Sequence, residues 1–309
     1  MSNSLQDPVM IADEVRAALE QGRGVVALET TIVVHGLPAP VNLEVAKECA
    51  DAVREGGAVP ATIGVLDGRA VVGLTFDELE RLADPAREAA KLSGRDLGLA
   101  LALGRDGATT VAGTITVARR VGVDVMATGG LGGVHRDAQH SFDESADLTT
   151  LSRTSVLVVA SGVKSILDIG ATLERLDSLG VPVVGYQTAT FPGFYRSDSG
   201  FALDWSVANA HDAARAFLAH REFASSGFLL AHAVAPESQL DEGLHDGALA
   251  SALELAASLG VAGKDVTPVL LAEFARFTGG RSVQVNRDLV VANARLAGQV
   301  ATALSDARR

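Results

Sequence analysis

Apolar, β-branched runs recur along the chain at 25–29 (VVALE), 61–66 (ATIGVL), 123–128 (VDVMAT), 156–160 (VLVVA), 181–186 (VPVVGY) and 228–234 (FLLAHAV). Between them lie segments whose apolar residues return every three to four positions, at 42–55, 109–121, 165–179, 210–224 and 247–259. Short continuous apolar runs read as strands buried on both faces, and the longer 3.6-residue period reads as helix. Strand, helix, strand in alternation predicts a three-layer α/β/α fold with a largely parallel or mixed central sheet. From about residue 264 the pattern is helical with no strong strand. That predicts a closing helical layer, packed either on its own sheet or on another subunit. No stretch rich in Pro, Gly and Ser is long enough for a linker and there is no internal repeat, so residues 1–309 read as a single domain.

The 309 residues carry 38 acidic and 26 basic side chains, a formal charge of -12. This balance argues against nucleic acid as a partner, because phosphate backbones are held by clustered Lys and Arg. Hydrophobic residues make up 48% of the chain, ample for a core that excludes water. The N-terminal MSNSLQDPVM has no basic segment followed by an apolar one, and no run of about 18 apolar residues occurs, so neither a signal peptide nor a membrane span is expected. One cysteine, Cys49, cannot make an internal disulfide, and no Cys/His cluster has zinc-ligand spacing. A cytoplasmic location is therefore expected.

Only four of the basic residues are lysines: Lys47, Lys91, Lys164 and Lys264. A chain that uses Arg almost everywhere else keeps Lys where an amine is required, since only an amine can deprotonate and attack a carbonyl carbon. The bland alternative is a surface cation at each position.

Ligands in open α/β sheets gather beyond the carboxyl ends of the strands. The first predicted strand ends at Glu29, the run VDVMAT ends at Thr128, and VLVVA leads into SGVKS, which carries Lys164. If those strands are parallel neighbours, Glu29, Thr128, the 129–147 loop and Lys164 open onto one rim. Glu29 could serve chemistry or simply accept loop amides. Lys164 is placed before a helix whose first turn would hold Ser165 and Asp168, where the helix dipole disfavours a cation and favours a free amine. GGLGG at 129–133 could be a plain turn or a cradle of backbone amides for an anion, and it matches neither dinucleotide nor Walker spacing. Asp143, Glu144 and Asp147 are the candidates for a hard divalent ion, with a charged helix start as the alternative. His35, His135 and His140 lie in the same loops without paired ligand spacing.

Longer motifs then carry a resemblance: ALETTIVVHGLPAPVN at 27–42, GAVPATIGVLDGRAVVGLT at 57–75, KLSGRDL at 91–97, GATTVAGT at 107–114, ATGGLGGVHR at 127–136, SADLTTLSRT at 145–154, GVKSILDIGATLERL at 162–176, GVPVVGY at 180–186 and GKDVTPVLL at 263–271. From about residue 24 to about 300 the chain resembles the pseudouridine-5'-phosphate glycosidase family, also called indigoidine synthase A-like. The resemblance implies reversible cleavage of the C–C glycosidic bond of pseudouridine 5'-phosphate to uracil and ribose 5-phosphate, with Mn2+, in a homotrimer of α/β/α subunits. It implies Glu29 as proton donor, Lys164 as the nucleophile that forms an imine with the sugar, and Asp143 as the manganese ligand. Lys91, Val111 and the Ser145, Ala146, Asp147 triplet correspond to substrate-binding positions, and Thr128 and Asn286 resemble further pocket positions. The family more often has ESTI where this chain has Glu29-Thr30-Thr31-Ile32, and AGAKS where it has Ser161-Gly162-Val163-Lys164-Ser165. Gly94 stands where a basic residue is common, which would weaken phosphate affinity. Two other readings use the same residues: a Schiff-base sugar-phosphate lyase or aldolase on another substrate, and a non-catalytic sugar-phosphate-binding protein in pigment biosynthesis.

Overall fold

The structure, a computed structural model, describes residues 7–261 and 266–309. Eleven strands form one sheet: β1 (Val9–Ile11), β2 (Val25–Glu29), β3 (Val59–Leu66), β4 (Arg69–Val72), β5 (Ala90–Leu92), β6 (Gly107–Thr109), β7 (Val125–Ala127), β8 (Leu157–Ala160), β9 (Val183–Tyr186), β10 (Ser206–Val207) and β11 (Phe228–Ala231). Their order is β1-β4-β3-β2-β7-β8-β11-β9-β10, with β6 joined to β3 and β5 to β6. Among the strand pairs of the described residues, only β3–β4 and β3–β6 are antiparallel. Helices flank the sheet, giving the three-layer α/β/α arrangement that the alternation predicts.

The central strands explain the continuous apolar runs. Every residue of β2, β7, β8 and β11 is buried, as expected where helices cover both faces of a parallel sheet. The β3–β4 hairpin turns on Asp67 and Gly68, both with positive φ (50° and 70°), the backbone that a two-residue hairpin loop needs.

Among the described residues, the C-terminal part forms helices Val266–Phe277 and Arg281–Asp306; Lys264, from which a helical layer was expected, lies outside them. The second of these settles the packing alternative for itself. Val285, Leu289, Leu296, Val300 and Leu304 are buried, and the helix lies across β2, β7 and β8 of its own sheet. No described helix is long and apolar enough to cross a membrane.

This helix meets helix Val41–Glu55 where glycine is the only residue that fits. A Cβ on Gly298 would stand 2.5 Å from the Val53 carbonyl oxygen, and one on Gly56 would stand 2.5 Å from that of Arg295. Arg295 and Glu55 pair at 2.6 Å on the exposed side of the crossing. In an open helix Gly298→Ala would gain about 1 kcal/mol of helix propensity. Here the backbone collision opposes that gain, and the variant is expected to lose about 1–3 kcal/mol net. Urea unfolding midpoints check this, and an unchanged or raised midpoint would show that the helices do not approach so closely.

Candidate active site

The chain runs from β2 to β3 on one side and later pairs β7 on the other, so the sheet has a switch point at β2. Register places Leu28 beside Ala127 and Ala127 beside Val159. Glu29, Thr128 and the segment 161–164 therefore leave the sheet at one rim.

Glu29 is 8% exposed, and the Thr128 hydroxyl donates to its Oε1 at 2.5 Å across the β2–β7 seam. Burial pushes the Glu29 carboxyl above the ordinary glutamate range. The charge of Lys164 and the Thr128 hydrogen bond pull the other way, and Asp147 adds to the rise. The residues after Glu29 form a π-helical turn, Ile32–Gly36. Such turns are frequent at functional sites. Thr30 works inward: its hydroxyl donates to Ile63 O at 2.9 Å and accepts from Thr109 N at 2.8 Å, tying β2 to β3 and β6.

Lys164 sits on a backbone clasped to the glycine-rich loop. Leu131 N donates to Gly162 O at 3.0 Å, and Lys164 N donates to Leu131 O at 3.2 Å. Gly162 has a φ of 77°, and a Cβ there would run into Pro192 O. One expectation is corrected at this point. The helix after Lys164 spans Ile169–Ser178 with Asp168 as its N-cap, so Lys164 lies outside its first turn and the helix-dipole argument for a free amine has no geometric basis. Ser165–Asp168 bend first, because the Asp168 side chain caps Ala171 N and ends the helix there.

Part of the glycine run is already spent on internal hydrogen bonds. The amides of Leu131, Gly132 and Val134 already donate to Gly162 O, Asp147 Oδ2 and Thr172 Oγ1. Its glycines allow close approach: a Cβ on Gly132 would stand 2.7 Å from Asp147 Oδ2, and one on Gly130 would stand 2.6 Å from the Phe194 ring. Asp147, 5% exposed, also accepts from Ala112 N at 2.9 Å, so one carboxylate joins the loop to helix Val111–Arg120. Ser145 is the N-cap of helix Ala146–Leu151. Asp143 and Asp147 do not share a helical face, because Asp143 precedes that helix.

These elements enclose a cleft of about 330 Å³ lined by Glu29, Lys91, Val111, Asp143, Ser145, Ala146, Asp147 and Lys164. A smaller recess continues from it past Glu29, Lys91 and Lys164 to Thr128, Asn286, Phe194 and Leu271. Every residue to which the resemblance gave a site role thus lines one of two adjoining spaces. Thr31, Ser93, Arg95 and Thr267 also line the cleft and were given no site role from the sequence, and His135, set aside there as a metal ligand, lines it too. His135 had a signal, its place in ATGGLGGVHR. Burial lowers its imidazole below the ordinary histidine range, with Asp143 opposing and Lys164 and Lys91 reinforcing, and Nδ1 stands 3.8 Å from Asp143 Oδ2. Among the described residues no group of three or more His, Cys, Asp or Glu could hold a metal ion. The donor set at Asp143 suits a hard ion that keeps most of its waters.

Glu29→Gln tests the burial of the acid. Because the folded carboxyl titrates above its unfolded value, the folded chain holds that proton longer, and wild-type stability falls as pH rises from about 4.3 through the raised value. The amide has no charge to bury. The expected result is a thermal midpoint that shifts in favour of Glu29→Gln as pH rises; a shift in favour of the wild type would show a stabilised carboxylate instead.

A sequence model described as indigoidine synthase A like protein matches residues 14–303. The chain is 56% identical over 94% of its length to a pseudouridine-5'-phosphate glycosidase of Salinispora tropica, covering 90% of that protein. It is 52% identical over 97% of its length to one of Streptomyces griseus, covering 93% of it. Among solved structures, the prealnumycin C-glycosynthase AlnA in complex with ribulose 5-phosphate superposes with a TM-score of 0.90 at 39% identity, over 98% of this chain and 99% of that one. An indigoidine synthase A-like protein of Thermotoga maritima gives 0.86 at 35% identity, over 97% and 98%. With the cleft assembled from the residues that carried the resemblance, the chain belongs to the indigoidine synthase A-like family.

Proposed function

We propose that this chain is a pseudouridine-5'-phosphate glycosidase that reversibly cleaves the C–C glycosidic bond to give uracil and ribose 5-phosphate through an imine on Lys164. One observation carries the reading: Glu29, an acid that burial favours in its protonated form, and Lys164 line the same cleft. Protonating a carbon-linked base does not by itself make it leave, so the sugar needs an electron sink. Glu29 gives its proton to the ribose ring oxygen as the C1'–O4' bond opens, and the Lys164 amine forms a bond to C1'. The base carbon then takes a proton, the C1'–C5 electron pair returns to the uracil ring, and the nitrogen lone pair closes the C1'=N bond. Water hydrolyses that imine to ribose 5-phosphate and restores the amine. Covalent catalysis divides one difficult cleavage into easier steps.

Lys91, the Ser145 hydroxyl and the first backbone amide of helix Val111–Arg120 are the groups for the phosphate, with Ala146 and Asp147 shaping that wall. Asn286 and Thr128 line the recess for the base, and the buried Oδ1 of Asn286 has no hydrogen-bond partner among the described residues, an open acceptor for a uracil N–H. Asp143 is the protein ligand assigned to a hydrated Mn2+, which when bound would supply positive charge at the phosphate end of the cleft. A homotrimer in the cytoplasm belongs to the same reading. The large apolar side chains left exposed at Trp205 and Phe223 support association, and the free Cys49 supports a reducing compartment.

Borohydride reduction with ribose 5-phosphate is expected to add the reduced sugar phosphate to the peptide carrying Lys164; labelling elsewhere refutes the nucleophile. Lys164→Arg, which cannot form an imine, is expected to lose at least about 10³-fold in kcat for uracil release. Uracil release from pseudouridine 5'-phosphate also separates this activity from an aldolase or an idle binder, neither of which frees the base. For the metal, Mn2+ binding in the presence of ribose 5-phosphate, read from the free-ion paramagnetic resonance signal, is expected to weaken at least about tenfold in Asp143→Ala. Unchanged binding would assign the ion to other residues.

A further inference from the structure

Asn293 is fully buried in the middle of the C-terminal helix and faces the sheet at the level where three neighbouring strands end. Its Nδ2 donates to the Thr128 carbonyl at 2.9 Å, just beyond β7, and to Ser161 Oγ at 3.1 Å, just beyond β8. Its Oδ1 lies 2.9 Å from Nδ1 of His232, just beyond β11. The backbone continues the same lacing: Ser161 N donates to Gly129 O at 2.9 Å and His232 N to Ala160 O at 2.9 Å.

The orientation of this amide is determined. A carbonyl oxygen only accepts, so the Asn293 nitrogen must face Thr128 and the oxygen must face His232. His232 then carries its proton on Nδ1 and donates. Its ring is held edge-on to Tyr186, with centroids 5.5 Å apart, and burial lowers it below the ordinary histidine range, which keeps it neutral with a single ring proton.

We infer that Asn293, oriented by His232, is a positioning residue for catalysis: it fixes the strand ends from which Thr128 reaches Glu29 and from which the chain runs through Ser161 to Lys164. The inference rests on the imine reading above. Thr128 bonds the acid through its side chain and Asn293 through its carbonyl, so one residue links the acid to the helix. Lys164 is three residues beyond Ser161, on the backbone clasped to Leu131. A displacement of either strand end moves one reacting group relative to the other. Misplacement of about 1 Å costs about a hundredfold in rate.

Four proteins test this: wild type, Asn293→Asp, His232→Leu and His232→Asn. A carboxylate at 293 cannot donate to the Thr128 carbonyl. An asparagine at 232 places its amide N–H near the position of imidazole Nδ1, whereas leucine offers no donor. With pseudouridine 5'-phosphate, kcat is expected to fall about a hundredfold in Asn293→Asp with KM within threefold. His232→Leu is expected to fall about tenfold and His232→Asn to recover to within threefold of wild type. The rate of borohydride trapping at Lys164 is expected to follow the same order, and amide exchange at Leu131 and Lys164 to quicken in Asn293→Asp and His232→Leu only. The inference is overturned if folded Asn293→Asp keeps its kcat, if the loss falls on KM, or if His232→Asn is as slow as His232→Leu. Should Asn293→Asp fail to fold, the His232 pair decides alone. Absence of uracil release by the wild type would sink the glycosidase reading, while the exchange pattern would still decide the positioning role.

Discussion

The Thr128 hydroxyl reaches across the seam between two parallel strands to the one polar side chain of strand β2, Glu29, and the cleft is organised around that contact. A carboxyl in this place has lost most of its water. An ionised form would need partners strong enough to replace that hydration. Lys164, Lys91 and a single hydroxyl are its opposing influences, and burial outweighs them. The consequence is an acid that keeps its proton beyond the pH at which an exposed glutamate gives it up. That property suits a residue that must donate to a sugar oxygen near neutral pH.

The polar groups around the acid are largely occupied with one another, which holds the cleft to one shape. Thr30 and Thr109 share the Ile63 carbonyl, Asp147 spans the glycine loop and the start of helix Val111–Arg120, and Asn293 spans two strand ends. Each of these spans backbone segments far apart in sequence, so none forms until the sheet is assembled. Substitution at any of them acts on reacting groups it does not touch.

The sequence exposed the central strands because each is apolar on both faces, and residues 25–29 coincide with β2 in full. The edges were less legible. β1, β5 and β10 have three, three and two residues, too short for a period to register. β4 was the missed strand that carried a signal, since Asp67-Gly68 followed by RAVV is a hairpin pattern. The start of the helix after Lys164 was misplaced because apolar residues at Ile166 and Leu167 mimic a helical face while packing in the core as a bend. In the site, residue types pointed to the acid and the amine, whereas Asn293 and His232 look in sequence like ordinary polar residues. Only tertiary structure puts positions 128, 161, 232 and 293 at one point.

The charge states required by the proposed reaction are linked by a single proton. A carboxylic acid and a free amine together hold as many protons as a carboxylate and an ammonium, so passage between the two arrangements needs no exchange with solvent. Water would favour the ion pair, because both ions are hydrated there. Inside the cleft that advantage shrinks, since the charged pair must recover in mutual attraction what each ion loses in hydration. The balance is set where Glu29 sits, at 8% exposure, with desolvation the largest influence on it. Strand burial therefore does two things at once: it holds the acid in place, and it favours the protonated carboxyl that opening the sugar requires.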